Sequence, residues 1–420
     1  MRISTTQYFT MNVQTMDDQQ SALSTMYSQI SSGQRIQTAS DDPLGAAQAV
    51  TLSAQSATLA QYAANQNSAL TSLQTEDSTM GSIVSVMQSI QQTLAAVNNG
   101  SLTDANRSAF ATTLQSDRTQ LMTLANTTDS SGNFIFSGFQ SGTQPFSNNA
   151  SGVGATYEGD AGQPSVQISG SRTINVSDTG SSVFQSVSAN EALPVPSGAS
   201  TNTGTGTIGT VTMSDSTNPG NADTYQITFG TTGSGTSATS TYTVTDLATN
   251  TVVVPATAYT AGTDISFAGE SVAISGTPAA GDSFTVAPAN TGNVADTDIF
   301  ATLDNIVSAL QQPASSPTGS ANLTNALATA SAKIGNTYNN MLSVQASVGG
   351  REQELTATQT AMETTSTQTS TTLVNLTGVN MTSAISQFEL TQTSLKAAQQ
   401  AFSQVAQLSL FNFIGGGSGG

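Results

Sequence analysis

Carboxylates are the chemically capable side chains that this sequence holds in number. It has 26 Asp and Glu against 8 Lys and Arg, and neither His nor Cys. A Ser-His-Asp or Cys-His constellation needs an imidazole base, so neither can be built. His/Cys metal sites fall for the same reason. What remains is a carboxylate acid–base pair or an oxygen-ligated calcium site. The adjacent pairs are Asp17-Asp18 and Asp41-Asp42. Neighbours on a helix do not face each other, so adjacency makes no dyad. Asp42, followed by Pro43, is better explained as a helix N-cap with proline at the first helical position. No EF-hand spacing occurs.

One pattern suggests phosphate binding. Gly204-Thr-Gly206-Thr-Ile-Gly209 fits G-x-G-x-x-G. A dinucleotide loop needs a strand before it and a helix after it. Here Pro194-Val-Pro-Ser-Gly198 precedes and the β-like Thr210-Val-Thr-Met213 follows, in a Thr/Gly-rich stretch. No catalytic residue, cofactor or metal ligand is therefore expected, and the chain reads as a structural protein rather than an enzyme.

Charge narrows the partners. The net charge is −18 and the cations are scattered. A nucleic-acid binder needs a basic stripe to release counterions, so nucleic acid is not an expected partner. An anionic membrane surface would repel this chain. No run of 18 apolar residues offers a transmembrane helix. No apolar region follows the N-terminal Met-Arg-Ile-Ser, so export by a cleaved signal is not expected. Only 8% of residues are charged, against about 25% in ordinary soluble domains. Such polar, uncharged composition suits tandem β-domains and self-assembling surface proteins.

The elements that position these residues are helical at both ends and β-like in the middle. Phe9, Val13, Met16, Gln20, Leu23, Tyr27 and Ile30 alternate steps of four and three, a heptad stripe with one polar member. Gly33 stands where a left-handed C-terminal cap belongs. A long helix is expected over about 43–97, with Leu52, Leu59, Gln66, Leu73, Met80, Met87 and Leu94 every seven residues, stopped by Asn98-Asn99-Gly100. A third helix follows over about 104–127. The period then drops to two. Asn133–Phe139, Ser165–Ile168 and Thr173–Val176 read as strands. Short alternating runs such as Thr224–Phe229, Ser240–Thr245 and Ser283–Val286 continue through a Thr/Gly/Ser-rich stretch. Helical spacing returns at Ile299, Leu303, Ile306 and Leu310, and Pro313 ends that helix. Another long helix from about Ala321 carries Leu327, Ile334, Met341, Val348, Leu355 and Met362, weakened locally by Gly349-Gly350. The last helix carries Met381, Ala384, Phe388, Thr391, Leu395, Ala398, Phe402 and Val405.

The fold class is therefore α+β and multidomain, with long N- and C-terminal helices pairing into a bundle or coiled coil and all-β domains inserted centrally. The expected division is 1–45 plus 370–414 as terminal helical segments, 46–132 plus 293–369 as a helical bundle, 133–190 as a small β domain, 191–292 as a further β insertion, and 415–420 as a flexible tail. The terminal stripes ask for partners. A buried stripe residue contributes about 1.5–3 kcal/mol, while every ordered residue costs about 1–2 kcal/mol of backbone entropy. One seam therefore does not hold a Thr/Ser/Gln-rich helix by itself. The candidate subunit-interface residues are Phe9, Val13, Met16, Leu23, Tyr27, Ile30, Met381, Phe388, Leu395, Phe402 and Val405, ordered by neighbouring copies; Asp42 and Pro43 form the structural cap.

Several segments together resemble the flagellin superfamily. Met1-Arg-Ile-Ser-Thr5, Ile30-Ser-Ser-Gly-Gln-Arg-Ile36 and Ser40-Asp-Asp-Pro-Leu-Gly-Ala-Ala47 are similar to its N-terminal region. The Met-Arg-Ile-Ser start looks more like the hook-associated protein 3 family than like flagellin. Asn133-Phe-Ile-Phe-Ser-Gly-Phe139, Pro145-Phe146, Tyr157-Glu-Gly-Asp160 and Gly180-Ser-Ser-Val-Phe184 resemble that family's middle, and Asn375-Leu376 through Leu410-Phe-Asn-Phe-Ile414 its closing helix. The likeness covers about residues 1–190 and 293–414. The 191–292 stretch departs from the short members, although Ser271–Phe284 resembles β-modules inserted in other hook-associated proteins. The resemblance implies a ring oligomer of this chain joining the flagellar hook, through hook-associated protein 1, to the flagellin filament. It implies unfolded passage through the flagellar type III export channel. It also implies a cytoplasmic export chaperone covering Phe388, Leu395 and Phe402. A flagellin or other axial filament subunit shares the same terminal physics. A secreted β-rich adhesin would instead place the function in the middle.

Overall fold

The computed structural model describes residues 5–98, 102–188, 192–233 and 238–415. The Met1-Arg-Ile-Ser4 start, the Asn99-Gly100 helix stop, the Glu191 edge of the expected insertion and the tail beyond residue 415 lie outside them. The chain forms two compact units, Met1–Ala64 with Gln359–Gly420, and Asn65–Thr358.

The first unit is helical. Helix α1 (Thr5–Ser32) ends at Gly33, whose φ of 71° is the left-handed cap conformation. Helix α2 (Pro43–Val97) begins in this unit and continues into the second; α7 (Pro317–Thr377) returns from the second to the first, and α8 (Met381–Gly415) closes the chain. Asp42 caps α2 by accepting a 2.9 Å hydrogen bond at Oδ1 from the Gly45 amide. Gly349-Gly350 does not interrupt α7, which is continuous across it.

The second unit holds the larger core. Helix α3 (Asp104–Ala125) is capped by Thr103 and packs with α6 (Ile299–Gln311), capped by Asp298. Along α2, Leu73, Met80, Met87 and Leu94 are buried; along α7, so are Leu327, Ile334, Met341, Val348 and Leu355. The seven-residue repeat in the sequence is the inward face of these two helices. Four phenylalanines seal one end: Phe136, Phe146, Phe184 and Phe300 meet with ring centroids 5.3–5.8 Å apart. Arg118 lies over the Phe300 ring at 5.6 Å and pairs with Asp304 at 2.6 Å.

Small β elements lie beside this core. Strands β1 (Phe146–Asn148) and β2 (Ala155–Tyr157) pair antiparallel, as do β3 (Ser165–Ser169) and β4 (Arg172–Asn175). Helix α4 (Gly180–Phe184) carries Phe184 inward, and α5 (Val294–Thr297) precedes α6. The strand expected over Asn133–Phe139 is not formed. That segment is a series of turns with one isolated bridge, Thr128 to Phe134. Asp129 Oδ1 takes the Ser131 and Asn133 amides, and Asp160 Oδ1 takes the Phe139 amide, so side chains satisfy donors that a ladder would have used. The apolar alternation there exists because Phe136 plugs the aromatic core.

The remaining strands build a sandwich with its own interior. β5 (Val195–Gly198), β12 (Ser283–Ala287), β7 (Tyr225–Thr232), β8 (Thr239–Asp246) and β9 (Thr251–Ala258) form one antiparallel sheet in that order. β10 (Asp264–Phe267), β11 (Glu270–Ser275) and β6 (Thr207–Met213) form the other. Ile208, Val211, Ile227, Phe229, Val244, Val272, Ile274, Phe284 and Val286 fill the space enclosed. Asn325 of α7 docks this module onto the helices. Its Oδ1 accepts from the Ile208 amide at 2.8 Å, and its Nδ2 donates to the Gly206 carbonyl at 3.1 Å.

Candidate assembly interface

Helices α1 and α8 pack as an antiparallel pair. At one end the rings of Phe9 and Phe402 meet, centroids 4.7 Å apart. At the other, the Val379 amide donates to the Gly33 carbonyl at 3.0 Å and the Arg35 amide donates to the Thr377 carbonyl at 2.7 Å. The two loops thus join as a short antiparallel bridge, Gln34 to Gly378. Arg35 completes the joint: its Nη2 donates to the Leu376 carbonyl at 2.9 Å, and the guanidinium stands 3.5 Å from Asp42. Asp41 takes the Gln37 and Thr38 amides at 3.0 and 2.8 Å, and those bonds hold its carboxyl below the usual carboxylate range. Both acids of the Asp41-Asp42 pair are occupied with backbone amides. The joint is a structural one.

The pair leaves much apolar surface uncovered. Val13, Met16, Leu23, Ile30, Phe388, Leu395 and Phe402 are half-buried along the shared seam. Phe9, Tyr27, Met381 and Val405 keep 45–67% of their surface. The structure therefore brings the N- and C-terminal stripes together but does not bury them. Among the described residues of this unit, only Ile36, Leu59 and Ala384 are buried apolar side chains. A unit of this length with so little interior is short of the burial that stabilises a domain.

The heptad count missed part of this surface. Tyr8, Met11, Ile385 and Leu390 are also exposed, by 44–68%. They lie off the stripe, and the available signal was apolar residues outside the seven-residue repeat. The same is true of Leu44, Val50 and Val374. A shallow groove of about 470 Å³ runs between Ala47, Gln48, Thr51 and Leu52 of α2 and Thr372 and Leu376 of α7. Exposed apolar patches of this extent mark association surfaces.

The glycine-rich pattern at 204–209 leads into strand β6 rather than a helix. Its Gly204 amide donates at 3.0 Å to buried Asp282, which also takes the flanking Thr203 and Ala279 amides at 2.8 Å, and its Ile208 amide donates to Asn325. An aspartate occupies the nest that a phosphate would need.

Comparison with known proteins agrees with this geometry. Residues 3–141 match the bacterial flagellin N-terminal helical region and residues 331–414 the bacterial flagellin C-terminal helical region. Residues 198–288 match a D2-like domain of flagellar hook-associated protein 1. Flagellar hook-associated protein 3 of Salmonella typhimurium is 35% identical over 199 residues, 47% of this chain and 61% of that protein. Its Escherichia coli counterpart is 34% identical over 203 residues, 48% and 62% respectively. The aligned part thus spans about three fifths of these curated relatives. Among solved structures, the flagellar junction protein FlgL of Legionella pneumophila superposes with a TM-score of 0.67 at 26% identity, covering 79% of this chain and 100% of that one. FlgL of Xanthomonas campestris gives 0.66 at 27%, covering 76% and 98%.

Proposed function

We propose, from the premise that both ends of this chain are flagellin-type helical regions, that it is a structural subunit of the bacterial flagellum, forming the junction ring between hook and filament. The observation that carries the reading is the α1–α8 pair: an antiparallel seam closed by Phe9 on Phe402 but half-open, with Tyr27, Leu390 and Val405 exposed. A second copy of the chain, presenting the same surface, would complete the missing interior. Hook-associated protein 1 on one side and flagellin on the other are the expected neighbours in the axial direction; residues 198–288 match a domain of the first, and both ends match helical regions of the second. The chain acts by assembly and not by catalysis. Its place is extracellular, on the flagellum, reached through the flagellar type III channel. Before export, a cytoplasmic chaperone would cover Phe388, Leu395 and Phe402, and a chain lacking α8 would lose that partner.

The adjacent reading, a flagellin or other filament subunit, shares every terminal feature. It differs in position and copy number. The hook-associated character of residues 198–288 favours the junction. Immunogold electron microscopy of intact cells, with antibody to residues 198–288, tests this. The expected result is one label at the hook–filament boundary. Label along the whole filament would make the chain a filament subunit, and label on the cell surface away from flagella would overturn both readings.

A further inference from the structure

The second unit contains a buried carboxyl group that no partner neutralises. Glu76 of α2 is 1% exposed. Its Oε1 accepts one hydrogen bond, from the Asp178 amide at 2.8 Å. Its Oε2 is fully enclosed and has no hydrogen-bond partner in the protein. The cation whose charge acts on it is Arg351 of α7, and its guanidinium is committed elsewhere. Nη2 pairs with the Asp178 carboxylate, Nη1 donates to the Asn175 carbonyl at 3.2 Å, and Nε points to the Ser347 carbonyl at 3.4 Å. Asp178 receives a further bond from Gln163 Nε2 at 3.1 Å. Two carboxyl groups thus share one guanidinium, and Asp178 holds it.

The other charged groups on the elements packed here do not help Glu76. On α2, Asp77 is its neighbour and accepts from Gln345 Nε2 at 3.3 Å. On α7, Glu352 is another acid, itself raised by burial and by Asp77. Arg172, on the hairpin, is paired with Glu354 of α7. Acids outnumber bases around the site, and an oxygen sealed from the surface cannot recruit a dissolved cation. It can only keep a proton.

We propose that Glu76, Asp178 and Arg351 form a proton-operated latch that holds the β3–β4 hairpin and the segment leading into α4 against α2 and α7. With Glu76 protonated, the site carries one carboxylate and one guanidinium, which balance. With Glu76 ionised, an unpaired charge sits in the interior beside Asp178, and the structure relieves it by letting the 176–180 segment lift away. That segment connects two packed regions. On one side the hairpin residues Ile168 and Ile174 pack with Leu73, Val348 and Leu355. On the other, α4 inserts Phe184 among Phe136, Phe146 and Phe300. Opening the latch therefore loosens the hairpin, whose backbone α2 then grips through Asn65 and Gln66, and leaves the helical core around Met80, Met87 and Met341 standing.

The direction of the pH effect follows by linkage. Burial, then the Asp178 charge, pushes the Glu76 carboxyl up from 4.5 to about 8. Opening exposes it and returns it to its ordinary value, releasing a proton. The latch is thus fully closed below the ordinary glutamate range, weakens as pH rises, and levels off once the pH passes about 8.

Native-state hydrogen exchange on the whole chain tests this, with protection of residues 165–179 followed from pH 5 to 9 and corrected for intrinsic rates. The expected protection falls about tenfold per pH unit up to about pH 8 and then flattens, while Met341 and its neighbours on α7 change little. Glu76→Gln, which keeps shape and cannot ionise, is expected to remove the slope. A wild-type profile without the slope, or a Glu76→Gln profile that retains it, overturns the latch. Should the variant not fold, carboxyl NMR of the wild-type chain labelled at its eight glutamates decides. Burial also raises Glu270, to about 7, and Glu352, so the latch requires a further glutamate signal titrating near pH 8 together with the 165–179 amides. Glutamates titrating only in the ordinary range, Glu270 and Glu352 excepted, would overturn it.

Discussion

Gly45 sits three residues past the α2 cap, where an alanine would ordinarily add stability by removing backbone freedom from the unfolded chain. Here the sign reverses. A methyl group at this position would fall 2.5 Å from Asp42 Oδ2 and 2.7 Å from Ile36 Cδ1. Asp42 cannot retreat without breaking its bond to the Gly45 amide and moving away from Arg35. Ile36 is one of the few buried apolar side chains of its unit. Gly45→Ala is therefore expected to destabilise the terminal unit by about 1–3 kcal/mol, the cap loss plus local overpacking, in place of the usual gain of about 1 kcal/mol. Urea unfolding followed by circular dichroism measures the difference. A stabilised variant would show that the joint around Arg35 and Asp42 is slack. The same residue scale explains why so little chemistry is available. Asp41, Asp42, Asp129, Asp160, Asp282 and Asp298 all spend their oxygens on backbone amides, organising turns and caps in a chain that has few other charged groups.

At the scale of elements, α7 offers the opposite case. Gly349 and Gly350 lie inside a continuous helix, and added methyl groups would meet nothing within 4 Å. The double change Gly349→Ala, Gly350→Ala is expected to stabilise the isolated chain by about 1–2 kcal/mol, read as a rise in Tm of the second unit. A fall would mean that the pair provides a bend the helix uses. The helices themselves were legible because burial imposes a period. Leu73, Met80, Met87 and Leu94 recur every seven residues since each faces the same interior. Gln66, a polar member of that series, was legible as a position but not as a role: it is buried, and its Nε2 donates to the Ile168 carbonyl at 2.8 Å. The stretch Asn133–Phe139 was misread because two side chains, Asp129 and Asp160, supply hydrogen bonds that local pattern attributes to a neighbouring strand. Glu76 and its dependence on Asp178 were invisible in sequence, since 102 residues separate the two. The outward apolar residues Tyr8, Met11 and Leu390 were hidden by the attention that a heptad stripe draws to one face only.

For the whole molecule, the decisive fact is that the β-module begins and ends in one place. Val195 of β5 and Ala287 of β12 are paired directly in register, so their Cα atoms lie about 5 Å apart. The module's interior, from Ile208 to Val286, shares no residue with the helical core that contains Met80, Leu114, Phe300 and Ile334. Replacing residues 196–286 by Asn-Gly would close β5 onto β12 as a two-residue hairpin. Asn325 would lose its partners at Gly206 and Ile208 but would face water, which satisfies an amide at little cost. Asn336 would keep both of its bonds to Leu193. The shortened chain is therefore expected to retain the hydrogen-exchange protection of α3, α6 and the inner face of α7. In cells lacking the full-length protein, the proposed junction role predicts that it restores filaments attached to hooks. Intact protection without attached filaments would place part of the junction contact on the sandwich itself. Lost protection would show that the two cores, separate in space, are coupled through α7.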